Sequence, residues 1–429
     1  MVLRLAIPMI ITNISTPLLG LVDTAVLGHL DTEQFLAAVA LGGLIFSFIF
    51  WGFGFLRMGT TGLTAQAFGE DNKEEIYAVL IRAIGIAVII SCLILLTHQM
   101  ISQFSFWLLQ SSHLVEQLAL QYFEIRIWST PATLCSYVLL GWFLGRQNVR
   151  VPLLIVLITN VTNICLDLLF VYHFDMQVEG VALASVIAEY IGFIIGLVIV
   201  VRTITKGRLF WNWRLFARFD KFKAMLLINS HIFVRTWCLI FAFAFFTAQG
   251  AKMGDVVLAA NAVLLNFQTF MAYALDGFAH AAEALVGKAV GAKSKVMARQ
   301  AVLTAGIWSF VIAVVFAICY LTFGEQIIDL LTGLDNVRAK AYIYLPWLIV
   351  MPLASFVCYL FDGVFIGAML TREMRNTMLF SILAVFLPVW YFTQHLGNQG
   401  LWLAMTVFML ARSLSMVVVF KTRVLVENG

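Results

Sequence analysis

The chain has 429 residues, of which 62% are hydrophobic and only 12% charged, with a formal net charge of +4. A soluble domain carries about twice that share of charge, so much of this surface must face lipid and a water-soluble globular protein is excluded. Twelve apolar runs long enough to cross a bilayer follow one another, at 2–27, 36–67, 77–102, 118–145, 150–172, 178–201, 224–249, 256–287, 298–322, 341–369, 376–394 and 399–420.

In the first run the only ionisable side chains before His29 are Arg4 and Asp23, the latter inside LLGLVDTAVL. A carboxylate at the centre of a span costs about 2.5 to 3.5 kcal/mol on insertion scales, and such residues usually face a bundle interior and mark an ion or proton path. Asp23 is therefore the first functional candidate, with a purely structural role beside an Asn or Ser as the alternative. Pro8 and Pro17 each remove a backbone donor and are expected to kink this helix, which makes them hinge candidates. No short apolar core followed by a small-residue cleavage site fits a removable signal, so the first span is expected to stay. Six cysteines fall inside the predicted spans without a C-x-x-C pairing, which suggests neither a disulfide framework nor a metal site.

Alternate loops differ in charge. Lys73, Arg146, Arg150, the cluster from Arg202 to Lys223, Lys293 and Lys295, Arg372 and Arg375, and Lys421 and Arg423 fall on one side, against little beyond Lys252, Arg338 and Lys340 on the other. The basic side is expected to be cytoplasmic, with both termini on it. The net positive charge is thus a topology signal, and no nucleic-acid partner is expected.

Residues 35–69 recur as 257–291, and a shift of 222 pairs Gly28 with Gly250, Gly69 with Gly291, Gly141 with Gly363 and Gly145 with Gly367. An even number of spans per half makes the repeat a parallel one, about an axis along the membrane normal. The expected fold class is an all-α polytopic membrane protein of two pseudo-symmetric six-helix bundles, V-shaped with a central cleft. The expected division is an N-terminal lobe over 1–204, a cytoplasmic linker over 205–222 and a C-terminal lobe over 223–429.

The motifs LVDTAVLGHL in the first span, GWFLGRQNVRVP at Gly141 to Pro152, NICLD at Asn163 to Asp167 and ALDGFAHAAEALVGKAVGA at Ala274 to Ala292 together resemble the multidrug and toxic compound extrusion (MATE) family. The last of these, with DGVFIGA at Asp362 to Ala368 and EMRN at Glu373 to Asn376, most resembles its branch named for DNA-damage-inducible protein F. The resemblance covers nearly the whole chain. It implies an inner-membrane antiporter, acting as a monomer in the lipid bilayer, that expels cationic and amphipathic drugs against entry of protons or sodium.

From the proton-coupled branch the resemblance carries over a cluster of Asp23, Asn163 and Asp167, with Tyr122 and Ser185 as hydrogen-bonding neighbours. Asn163 lies one helical turn before Asp167 on the same face, and Asn160 is a candidate for that face too. Desolvation and a second carboxylate both disfavour the charged form, so two such acids titrate as a unit. Protonation of Asp23 is then expected to bend or straighten the first span at Pro8 or Pro17 and displace substrate.

The offset places Phe245 opposite Asp23 and Pro388, within a residue, opposite Asp167, so the second half lacks these acids. It has its own, Asp276, Glu283 and Asp362, for which Arg235 is a candidate partner; structural and transport roles stand level. Arg57 and Arg412 are further candidates, and Glu189 is unassigned. The sodium-coupled branch carries an acid in the seventh span that is missing here. No G-x-x-x-x-G-K-[ST], H-E-x-x-H or G-x-S-x-G is present, which disfavours ATP-driven export and an intramembrane enzyme. No cofactor is expected, and the coupling ion is the proton, with sodium the alternative. A lipid-linked oligosaccharide flippase of the same superfamily, and a membrane enzyme or scaffold, are the other readings.

Overall fold

In a computed structural model the described residues are 1–27, 33–109, 112–206 and 218–422, excepting the side chains of 16–27, 33 and 206. With no water at membrane depth, backbone polar groups must be satisfied within the segment, and the apolar runs accordingly all become helices. The first half contributes α1 (Val2–Leu27), α2 (Glu33–Gly52), α3 (Phe55–Gly69) and α4 (Lys73–Leu109). It continues with α5 (His113–Arg126), α6 (Thr130–Gly145), α7 (Arg150–Leu168) and α8 (Val178–Lys206).

The second half contributes α9 (Phe219–Ala251), α10 (Asp255–Gly291), α11 (Lys295–Leu331) and α12 (Asp335–Gly367). It ends with α13 (Thr371–Phe380), α14 (Leu387–Thr393) and α15 (Asn398–Phe420). Among the described residues eleven helical segments are long and apolar enough to cross a membrane, and α1 adds a shorter described apolar stretch, Val2–Ser15. Their outward faces are apolar, as at Leu96, Met100 and Trp107 of α4 and Leu330 of α11, so they suit lipid. Their buried faces hold small and hydroxyl residues, Gly59, Thr60, Thr61, Gly62 and Ala65 in α3, as helix packing in membranes requires.

Contacts divide the chain into two units: Ile11–Ala224, and Met1–Ile10 with Met225–Gly429. The first ten residues thus pack with the second half of the sequence, a departure from a border at 204. The physical reason is local: Gly277 of α10 has no Cβ, and an added one would stand 3.0 Å from the Ala6 carbonyl oxygen and against Ile10. Most of the expected linker, at 207–217, lies outside the described residues.

Within each unit the 222-residue repeat becomes geometry. In the first, Gly141 of α6 lies against the Arg57 carbonyl of α3, and a Cβ on Gly145 would stand 2.7 Å from the Thr61 oxygen. In the second, Gly363 of α12 lies against the Ala279 carbonyl of α10, and a Cβ on Gly367 would stand 2.5 Å from the Glu283 oxygen. All four glycines and all four carbonyls correspond by the same offset. Their role is to let two backbones touch.

The helix ends repeat as well. Asp71 and Lys293 follow α3 and α10 at φ 54° and 53°, and Gln147 and Met369 follow α6 and α12 at φ 61° and 58°. After each, one N–H closes the helix end: Asn72 to Ala67 O at 3.0 Å, Ser294 to Ala289 O at 2.9 Å, Asn148 to Phe143 O at 2.9 Å and Leu370 to Phe365 O at 2.8 Å. Such left-handed caps usually carry Gly, so these side chains hold an uncommon conformation in return for satisfied carbonyls. Helix α1 continues from Val2 to Leu27 through both predicted hinge positions, Pro8 and Pro17, without a break in the helix. The α-helical ladder loosens elsewhere, into π-helix at Leu169–His173 and at Ser381–Phe386.

Candidate functional site

In the first unit, α7 presents Asp167 and Asn163 one turn apart, both buried. Oriented to satisfy its neighbours, the Asn163 amide donates to Asp167 Oδ2 at 3.2 Å and accepts from the Ser185 N–H at 3.2 Å and hydroxyl at 3.3 Å. Asn163 therefore joins α7 to α8. One turn further back, Asn160 Nδ2 donates to the Ser15 carbonyl at 3.2 Å and ties α7 to α1. These contacts bring Asp167, Asn163, Ser185 and Asn160 into one polar seam inside an apolar bundle.

Tyr122 of α5 is buried with its ring edge-on to Phe46 of α2, 6.3 Å between centroids. The Arg126 guanidinium stands 5.7 Å from the Tyr122 ring centroid. The ring also occupies the space a Cβ on Gly42 would need. Pro8 lies on the part of α1 that packs in the other unit. The side chains of Asp23 and Pro17 lie outside the described residues.

The second unit resolves the pairing that sequence left open. Asp362 of α12 accepts through one oxygen, Oδ2, from Arg235 of α9 and from Arg412 of α15, the latter at 2.9 Å. All three side chains are buried, Arg412 at 2% relative exposure. One turn before, the Cys358 N–H donates to Ser413 Oγ at 3.2 Å, and that hydroxyl reaches the Ala354 carbonyl at 3.1 Å, locking α12 to α15 beside the triad. Glu283, buried in α10, has His280 Nδ1 3.5 Å away on the same helix. Asp276 has the phenols of Tyr273 and Tyr359 as electrostatic neighbours.

Two features escaped the sequence reading. Asn261 and Asn398 exchange amide hydrogen bonds at 2.8 and 2.9 Å, and Trp402 Nε1 donates to the same Asn261 oxygen at 3.0 Å. Nothing in the spacing of residues 137 apart announces that pair. Glu189 and Arg57, in turn, share Tyr137 as an electrostatic neighbour within the first unit, and Glu189 has Arg126 beside it as well.

Comparison with known proteins agrees with this architecture. The MatE family model matches residues 8–169 and again 232–392, once in each half of the repeat. DNA damage-inducible protein F of Escherichia coli (strain K12) is 42% identical over 428 residues, covering 97% of this chain and 91% of that protein. A probable multidrug resistance protein NorM of Buchnera aphidicola subsp. Baizongia pistaciae is 23% identical, over 96% and 95% of the two chains. Among solved structures, an outward-facing conformation of a multidrug resistance MATE family transporter of the MOP superfamily has the same fold, with a TM-score of 0.89 at 19% identity over 100% of this chain and 96% of that one. On the double family match and the 42% identity, the chain belongs to the MatE family, and it is a multi-pass membrane transporter, not an enzyme.

Proposed function

We propose that this transporter exports cationic and amphipathic drugs across the inner membrane in exchange for protons, by alternating access, with Asp23 and Asp167 as the coupling acids. The observation that carries this reading is the register of α1 on α7. Ser15 and Asn160 touch, and as first and fifth spans the two helices run in the same direction. At 1.5 Å per residue, α1 advances about 12 Å from Ser15 to Asp23 and α7 about 10 Å from Asn160 to Asp167. The backbones at the two positions therefore rise to similar heights from that contact, which supports pairing the acids.

Two carboxylates at one membrane depth disfavour each other's charge and share protons as a pair. Asn163 holds Asp167 through an amide N–H, so protonation removes a charge-assisted hydrogen bond as well as a charge. Each proton moving through 100 mV supplies about 2.3 kcal/mol, and a bistable α1 can spend that difference on exchanging cargo. Sodium coupling through the second unit is the weaker reading, because Asp362 already has two arginines as counter-ions. Both termini are assigned to the cytoplasm on the loop charges.

The test is ethidium or norfloxacin transport in proteoliposomes under an imposed pH gradient or an imposed sodium gradient, with wild type beside Asp23→Asn. Transport driven by the pH gradient and lost in the variant supports the proposal. Sodium-driven transport indifferent to pH overturns it.

A further inference from the structure

Glu189 is a half-buried carboxylate on α8 that the coupling cluster does not use. It lies one turn from Ser185 on the same helix face, so the seam Asp167–Asn163–Ser185 points along α8 toward it. Around Glu189, α5 contributes Arg126 and α6 contributes the Thr133 hydroxyl and the Tyr137 phenol, and Tyr137 in turn has Arg57 of α3 as a neighbour. Helix α7 also packs on α8, and its acid, Asp167, lies on the other side of the Asn163–Ser185 contact from Glu189. Arg126 belongs to both sets, because its guanidinium also sits over the Tyr122 ring.

Beyond Glu189 the polarity continues toward the end of the unit that carries Arg146 and Arg150. Ser129, Thr133 and Ser136 share one stripe leading into and along α6, and Thr64 of α3 lies where α6 ends at Gly145. The hydroxyls of Ser129, Ser136 and Thr64 are buried and make no hydrogen bond. A buried hydroxyl without a partner costs about 1 to 3 kcal/mol, which a purely structural seam would avoid by carrying Ala.

We propose that Glu189 is a further proton-carrying carboxylate of this unit, beyond Asp23 and Asp167, taking up the proton that Asp167 releases and passing it toward the basic end along the α3–α6 hydroxyl stripe. The inference rests on the proton-coupled reading above. The step balances as one proton: the Asp167 carboxyl becomes carboxylate, the Glu189 carboxylate becomes carboxyl, and no other bond changes. Arg126 supplies the positive charge beside Glu189, and the Thr133 hydroxyl a hydrogen bond. Because the transfer separates loading at Asp167 from release at the far end, Glu189 is needed for net proton movement and dispensable for substrate exchange.

The experiment compares wild type, Asp167→Asn, Glu189→Gln, Glu189→Asp and the double variant Glu189→Gln with Arg126→Gln in proteoliposomes. Ethidium counterflow without a gradient is measured beside ethidium transport driven by a pH gradient. We expect Glu189→Gln and the double variant to keep counterflow within about twofold while pH-driven transport falls about tenfold or more, and Glu189→Asp to retain it.

Wild-type pH-driven transport in Glu189→Gln overturns the inference. So does recovery in the double variant, which would make Glu189 only the counter-ion of Arg126, and so does a parallel fall of counterflow and driven transport. A wild type that ignores the pH gradient sinks the proton reading and this step with it. A proton-driven wild type that needs Asp167 but not Glu189 sinks this step alone.

Discussion

Removing the Asp362 carboxylate tests whether the buried triad of the second unit is a structural lock. Asp362→Ala leaves two guanidiniums buried among Cys358, Met409 and Phe408 with no counter-charge. Breaking a buried ion pair from one side costs about 3 to 5 kcal/mol, which lowers the melting temperature of a unit of this size by about 10 °C. Arg235→Met is milder, because Arg412 and Asp362 then remain as a neutral pair. The triple variant Arg235→Met, Asp362→Leu, Arg412→Met removes every charge and should recover most of the loss, since apolar replacements of a buried triad are often neutral or stabilising. The assay is a thermal melt of detergent-purified protein beside ethidium transport per folded molecule. A triple variant that folds and transports confirms the lock. An Asp362→Ala variant that melts with wild type but no longer transports refutes it and makes Asp362 a transport residue.

Other expectations follow from the same geometry. Gly141→Val and Gly363→Val each push a side chain into a carbonyl of the facing helix, Arg57 and Ala279, and should reduce folded protein to similar extents in expression and melting assays. Asn261→Leu strands the Asn398 amide and the Trp402 N–H and should cost about 2 kcal/mol in chemical denaturation, more than Asn266→Leu on an exposed face. Asn163→Leu removes the amide between Asp167 and Ser185 and should weaken pH-driven transport per folded molecule, beside a stability loss of about 2 kcal/mol from the stranded partners.

How far the sequence could be read depended on the kind of contact. The repeat was legible because close helix crossings demand glycine at fixed positions, so Gly141, Gly145, Gly363 and Gly367 recur in register with the carbonyls they meet. Asn163 beside Asp167 was legible as a spacing of four on one helix. His280 beside Glu283, at a spacing of three, offered the same signal and was passed over. Contacts between distant helices were not legible, since Arg412 or Arg57 could have turned to several neighbours and helix rotation alone decides. The left-handed caps at Asp71, Gln147, Lys293 and Met369 were invisible because none carries the glycine that usually marks them. The packing of Met1–Ile10 with the second half was hidden for a similar reason, as Gly277 marks a close approach but not the helix that makes it.

The most direct measurement counts protons. Ethidium, a permanent cation that carries no titratable proton near neutrality, is added to purified transporter in weakly buffered detergent solution with a pH-sensitive dye. Coupling through Asp23 and Asp167 predicts proton release from wild type on ethidium binding, and none from Asp23→Asn or Asp167→Asn. Ethidium binding with no proton released, or undiminished release from both variants, would contradict it.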